Sequence, residues 1–535
     1  MKRNNLFCTV LVACSLLVAS CSQNDEIMER QDILEGSIHI MVADAGVQGD
    51  AETRAVTDAQ YRTTFSDGDK MGIYAVKNGT VVADISNARL IYHTASGWSL
   101  DADQSITSLE YTKELAGATF YAYYPYQETI TGFDASQVSP FDGVISAWTI
   151  GDGNSVDLSG EDYTKYDLMT GTSTPVKNQM GNDYTLSFSM THALGMVVIN
   201  LPPAKVYNFT NSEFTDEQRK YAIPVINPTF AVQYGVEAAK AVTPYSDGEN
   251  YRILVKPEQC TVSGTFNDGA KTYSINDKTI AGGKYALYTI DKTNQTPIEQ
   301  ELSIGDYYCS DGSLIKASEL QEGDKTNVIG VVYFVGNPQP SASNAEYADK
   351  DILKKEYSGC IHGAVLALDD ASETASAFSS SEAIYGLNTD IEGYISAGLN
   401  ETTVLGYNNT KLAQLMGESK GCEVFMSILS GYQALAPATS TGWYLPSIYE
   451  FWKITENYAA ISGSMSSLGK SLSQYNIDTA SKENTFYWSS SESGKYLQYI
   501  SDLSTDNITM TSHKTAKGSS GSTKGKGVFR FALAF

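Results

Sequence analysis

The sequence predicts a mainly β protein. Apolar residues come in short or alternating runs, those runs are separated by clusters of Gly, Asn, Asp and Pro, and 35 Tyr stand beside 18 Phe and 5 Trp. Short alternating runs bounded by turn residues are strand signals, and aromatic residues fit a pleated, half-buried surface. At 535 residues the chain is too long for one core, and roughly 150 residues per domain gives about three domains. Hydrophobic residues make up 42% and charged residues 19%, enough apolar material to pack each core. Lys plus Arg is 37 against 62 Asp plus Glu, a formal charge of -25. That field repels nucleic acid and favours solubility, which argues against a nucleic-acid partner.

Lys2 and Arg3 precede an apolar run from Leu6 to Ser20. The run is shorter than the about 20 residues a membrane-spanning helix needs and fits a signal-peptide core, placing a leader at 1–20. It ends in Leu17-Val18-Ala19-Ser20-Cys21, which resembles the lipobox of bacterial lipoproteins. That resemblance implies a lipid on the Cys21 thiol and attachment to the outer membrane. Ser22-Gln23-Asn24-Asp25-Glu26 is similar to the acidic tag that sends such lipoproteins to the outer face. Of seven cysteines, Cys8 and Cys14 leave with the leader, and Cys260, Cys309, Cys360 and Cys422 remain. No Cys-x-x-Cys or Cys/His cluster exists, which argues against zinc, and the sequence does not pair the four into disulfides.

Along the mature chain, Ile38, Ile40 and Val42 alternate within 37–43, a half-buried strand. The stretch 45–56 is small, polar and Gly-containing, a loop that carries Arg54 followed by Ala55. By itself Arg54 reads as a solvated charge. The Phe65–Tyr74 turn, the Tyr-rich Phe120–Tyr126 segment and the Phe188–Ile199 strand follow, with Pro125 at a strand end or edge.

This order of five motifs, from lipobox to Phe188–Ile199, resembles the fimbrillin family of Bacteroidales type V pilins. The resemblance runs to about residue 295 and implies two transthyretin-like β-sandwiches, at 55–180 and 181–295, preceded by a lipidated segment at 21–54. It further implies that a protease cuts between Arg54 and Ala55 and removes the first strand, with Ile38, Ile40 and Val42 facing inward. The groove then takes a strand from another fimbrial subunit, so the location is the cell outer membrane and the fimbrium.

Residues 296–535 differ. Gly442-Trp443-Tyr444-Leu445-Pro446-Ser447 leads into a stripe of Ile448, Phe451 and Trp452, with Pro446 at the helix start. With Tyr487-Trp488-Ser489-Ser490-Ser491-Glu492 and the strand Val528–Phe535, this resembles an α+β C-type-lectin-like domain. Such a domain would fold independently, bring Asn327–Phe334 beside Val528–Phe535, and adhere to a host or bacterial surface glycan or protein.

No catalytic constellation, metal site or cofactor motif emerges. His39, His93, His192, His362 and His513 are scattered, and His192 reads as a core or edge hydrogen-bonding residue. Asp369 and Asp370 are adjacent on a strand and so face opposite sides. Glu450 reads as a helix-face charge, Glu492 as a loop charge, and Trp443, Trp452 and Trp488 as core residues. The expectation is a non-enzymatic fimbrial tip subunit. The alternatives are a stalk or anchor pilin donating Val528–Phe535, and a surface glycan-binding lipoprotein or glycosidase that never polymerises.

Overall fold

In the computed structural model of the chain, the described residues are 36–49, 63–151, 155–160, 162–291, 296–371, 376, 378, 390–398, 400, 402–416, 422–432, 434–472, 486–493, 496–500, 513–515 and 527–535. Cys21, Arg54 and Ala55 lie outside them. The described residues divide into two units, one of 36–48, 63–148 and 167–194, the other of 49, 149–151, 155–160, 162–166 and those after 194.

The first unit holds β1 (Ile38–Asp44), β2 (Lys70–Lys77), β3 (Ala88–His93), β4 (Gly97–Leu100), β5 (Thr119–Tyr124), β6 (Met169–Ser173) and β7 (Tyr184–His192). Their order is β1-β7-β6-β5-β2-β3-β4, with β1 and β7 parallel and every other neighbouring pair antiparallel. In β7 the side chains of Tyr184, Leu186, Phe188, Met190 and His192 are buried while those between them are more exposed, the two-residue period of a strand with one face on the core. In β2 both faces are covered. Met71, Ile73 and Ala75 enter the core, and Tyr74 stacks on Phe133 at 3.9 Å on the other side. Phe65, at the turn before β2, packs edge-on against Trp98 at 5.1 Å and Tyr124 at 5.2 Å.

A boundary at 180 would put β7 in the second sandwich. Instead β7 pairs with β6 and β1, so the first unit runs to Leu194. Ser155–Asp157 belongs to the second unit, where it pairs in parallel with Lys240–Thr243.

The second unit opens with β8 (Gly195–Asn200), β9 (Lys205–Phe209), β10 (Lys220–Ile223), β11 (Phe230–Tyr234), β12 (Lys240–Thr243), β13 (Tyr251–Val255), β14 (Cys260–Phe266), β15 (Lys271–Lys278) and β16 (Lys284–Thr289). β8 lies between antiparallel β13 and parallel β16, and β12-β11-β14-β15 form an antiparallel sheet. β17 (Ile298–Gln300) then pairs in parallel with β9. The last sheet contains β18 (Tyr307–Cys309), β19 (Val328–Val335), β20 (Gly363–Ala367) and β21 (Ala532–Ala534), in the order β18-β19-β20-β21. The expected contact of Asn327–Phe334 with the final strand is therefore not made, because β20 intervenes.

Helices α1 (Gly406–Met416), α2 (Glu423–Gly431), α3 (Ile448–Glu456) and α4 (Tyr458–Ser467) follow β20. Pro446 precedes the N-cap of α3, which is Ser447 in a capping box with Glu450. Glu450 is fully buried and is no helix-face charge. Its carboxylate accepts from Ser447 N at 2.8 Å, Ser447 Oγ at 2.6 Å, Gly406 N at 2.7 Å and Tyr333 Oη at 2.8 Å. Glu492 is likewise buried, in the strand Tyr487–Ser493 rather than a loop. Trp488 is core, whereas Trp443 and Trp452 are half-buried. Cys260, Cys309, Cys360 and Cys422 are buried and form no disulfide with one another.

Residues 296–535 close two apolar clusters of their own but share a third with the strands before them. Tyr207, Phe209, Phe214, Tyr221 and Ile223 from β9, β10 and their connection share one apolar cluster with Tyr308, Leu314, Val332, Val365, Leu533 and Phe535. Polar contacts fasten the same seam: Leu314 N donates to Tyr207 Oη at 3.1 Å, and Tyr221 Oη donates to the Gly312 carbonyl at 2.8 Å. Deleting the β9–β10 segment removes several large aromatic side chains, each contributing about 1.5–3 kcal/mol on burial. A fragment of 296–535, which loses one of its three apolar clusters, is expected to melt at a clearly lower temperature than one beginning at 195. Calorimetry of the two fragments checks this.

Candidate functional site

β1 is the outermost strand of its sheet. Its seven residues pair in parallel with β7, from Ile38 opposite Tyr184 to Asp44 opposite Met190. At its start the backbone also bonds a second segment: Ile38 N donates to the Leu109 carbonyl at 2.9 Å and Tyr111 N to the Gly36 carbonyl at 2.8 Å. Ile38, Ile40 and Val42 pack against the first unit's core, which includes Leu186, Phe188 and Met190. Met41, on the opposite face, is 63% exposed. Removing such a strand would uncover a row of unpaired backbone groups along β7 beside an apolar furrow, a template for another strand.

The far end of β1 carries the first unit's buried ionic cluster. Asp44 has the same parity as Ile38, Ile40 and Val42, so its carboxylate points inward to His192 at the end of β7. His192 Nε2 lies 3.2 Å from Asp44 Oδ1, and Nδ1 lies 2.9 Å from Asp167 Oδ2. The three side chains are 3–4% exposed. Burial by itself would push the imidazole down. The hydrogen bonds and charges of Asp167 and Asp44 overcome it and hold His192 up at about 10, so the ring is a cation. Burial would raise the Asp44 carboxyl, but His192 and the backbone N–H groups of Gly46 and Thr63 hold it below its ordinary value. Asp44 thus ties β1 both to β7 and to Thr63.

The other strand of interest is built in differently. Residues 527–535 are buried throughout. β21 pairs with β20 on one side, and Ala532 exchanges backbone hydrogen bonds with Tyr444 on the other, at 2.7 and 2.8 Å. Arg530, also buried, pairs with Asp370 at 3.0 Å and donates to the carbonyls of Ala367, Leu368 and Ser471. Asp369 turns away to Lys470, so the two neighbouring carboxylates serve separate cations.

A fimbrillin-like family model matches residues 53–306. That region is fimbrillin-like. It spans the first unit after β1 and the leading sheets of the second. The whole chain aligns at 29% identity with the whole of Fim1C, a candidate fimbrium tip subunit of Bacteroides ovatus. The structure also superposes on a crystal structure of a fimbrial protein from Bacteroides ovatus with a TM-score of 0.61 and 26% identity, covering 94% of this chain and all of that one. The likeness therefore extends past the fimbrillin-like region into the helical part.

Among the expected site residues, the structure brings Ile38, Ile40 and Val42 onto one face of β1. Asp44 and Asp167 were not singled out by sequence reasoning. Their signal was present in His192, which shares the buried face of β7 with Phe188 and Met190 and so requires polar partners. Among the described residues no group of His, Cys, Asp and Glu is arranged to hold a metal ion, and no helix is long and apolar enough to cross a membrane.

The cluster has a pH signature. His192 is raised from 6.5 to about 10, so its contribution is complete below 6.5 and lost as pH rises through about 10. Asp44 is lowered, so its contribution is present above 3.8 and lost as pH falls through its folded value. His192→Gln is expected to destabilise the first unit by about 3 kcal/mol near pH 5, as breaking a buried ion pair does. The gap between variant and wild type should narrow steadily above pH 6.5. Thermal unfolding from pH 4 to 10.5 checks the sign.

Proposed function

We propose that the protein is a non-enzymatic fimbrial subunit that occupies the fibre tip, accepting a strand from the next subunit and donating none. In this reading Cys21 carries the lipid that holds the precursor at the outer membrane. Cleavage between Arg54 and Ala55 frees β1, and the furrow along β7 takes the neighbour's strand. Residues 296–535, with the β9–β10 seam, display the adhesive surface toward a host or bacterial glycan or protein, on a C-type-lectin-like domain.

The observation that carries this reading is the contrast between the two ends. β1 has one sheet partner along most of its length, whereas 527–535 is buried and bonded on both sides. Donating Val528–Phe535 would open a core containing Phe529, Phe531, Leu533 and Phe535 and strand Asp370 without Arg530. That weighs against the stalk reading. Cleavage supplies the drive for exchange: while the linker is intact β1 rebinds at a high effective concentration, and once it is cut a competing strand can replace it. The whole-length similarity to the tip-subunit candidate Fim1C lends further support.

Arg54→Ala is expected to leave the longer lipidated form at the cell surface and to reduce incorporation into fibres at least tenfold. Immunoblotting of purified fimbriae measures it. Immuno-gold labelling should mark fibre ends only. Normal incorporation of the uncut variant would refute the processing step, and labelling along the shaft would refute the tip position.

A further inference from the structure

The strand-exchange reading leaves open which strand is accepted, and the ionic cluster at the end of β1 bears on it. We propose that His192, held by Asp167, is a carboxylate-recognition site that selects an incoming strand bearing Asp or Glu at the place Asp44 occupies. This inference rests on the proposed exchange of β1.

A cut after Arg54 removes Asp44 and Gly46 but keeps His192, Asp167 and Thr63. The retained groups are the donors: His192 Nε2, 3.2 Å from Asp44 Oδ1, and Thr63 N, which donates to Asp44 Oδ2. His192 is only 4% exposed, on the buried face of β7. A replacement strand that covers the furrow therefore covers the imidazole as well. An apolar or amide side chain there leaves a buried cation with one carboxylate where it had two, and a cation there meets it head-on.

The register turns this into a sequence rule. Ile38, Ile40, Val42 and Asp44 are spaced by two and face the same way. The accepted strand should carry three apolar residues at alternate positions and an acid at the fourth, at the end lying over Met190–His192. Val528–Phe535 has the apolar alternation and no acidic residue. The site thus discriminates against a second copy of this chain as donor, apart from the burial of that segment.

The test uses the full chain nicked after Arg54 and labelled peptides of residues 36–46, unchanged or carrying Asp44→Glu, Asp44→Asn or Asp44→Lys, with a peptide of 527–535 alongside. Fluorescence anisotropy reads exchange. The Asp and Glu peptides are expected to bind at least tenfold tighter than the Asn peptide, equivalent to about 1.4 kcal/mol. The Lys and 527–535 peptides should be weaker still. In a His192→Gln chain the Asp-over-Asn preference should fall to within twofold. If that variant is unstable, the comparison on the unmodified chain decides alone. Equal binding of Asp and Asn peptides to the unmodified chain would overturn the carboxylate site and leave strand exchange standing. Binding of no peptide would overturn strand exchange and the site with it.

Discussion

A strand satisfied by one neighbour is a liability in a sheet, and β1 is such a strand. Its hold on the first unit is the sum of a parallel ladder with β7, three alternate apolar side chains and the Asp44 carboxylate on His192. Each is modest in net terms: a backbone hydrogen bond contributes about 0.5–1.5 kcal/mol. Together they keep the strand in place while the chain is continuous. Nothing behind β1 depends on it for its own pairing. β7 keeps β6, and β6 keeps β5, so the rest of the sheet has partners whether or not β1 is present.

The opposite end of the molecule is arranged the other way. β21 is flanked by β20 and by Tyr444, its side chains enter two apolar clusters, and Arg530 threads a row of carbonyls. Burying a guanidinium is costly unless every donor finds an acceptor, and here Asp370 and three carbonyls supply them. The same logic explains Glu450. Held by Ser447, Gly406 and Tyr333, it organises the start of α3 from inside the core. Residues that look like binding candidates in a motif here hold the fold.

The seam between β9–β10 and β18–β21 changes how the molecule is divided. The lectin-like motifs after 296 suggested a detachable last domain, yet Tyr207, Phe209 and Tyr221 share one of its apolar clusters with Tyr308 and Phe535. A force borne along the chain would reach the last sheet through this apolar contact and the β9–β17 ladder rather than through a flexible linker.

Period and punctuation in the sequence determined the local structure: the alternation in 37–43, the turn before Tyr74, the strand through His192 and the apolar stripe of α3. These depend on neighbours a few residues apart, which a sequence displays directly. Tertiary structure alone decided that β7 belongs with β1 and β6, that β20 separates β19 from β21, and that Asp44 and Asp167 converge on His192. Asp44 and His192 are 148 residues apart. A polar residue on a buried face announces that it needs partners, but not which ones, because pairing across such separations is set by sheet order and register rather than by local sequence.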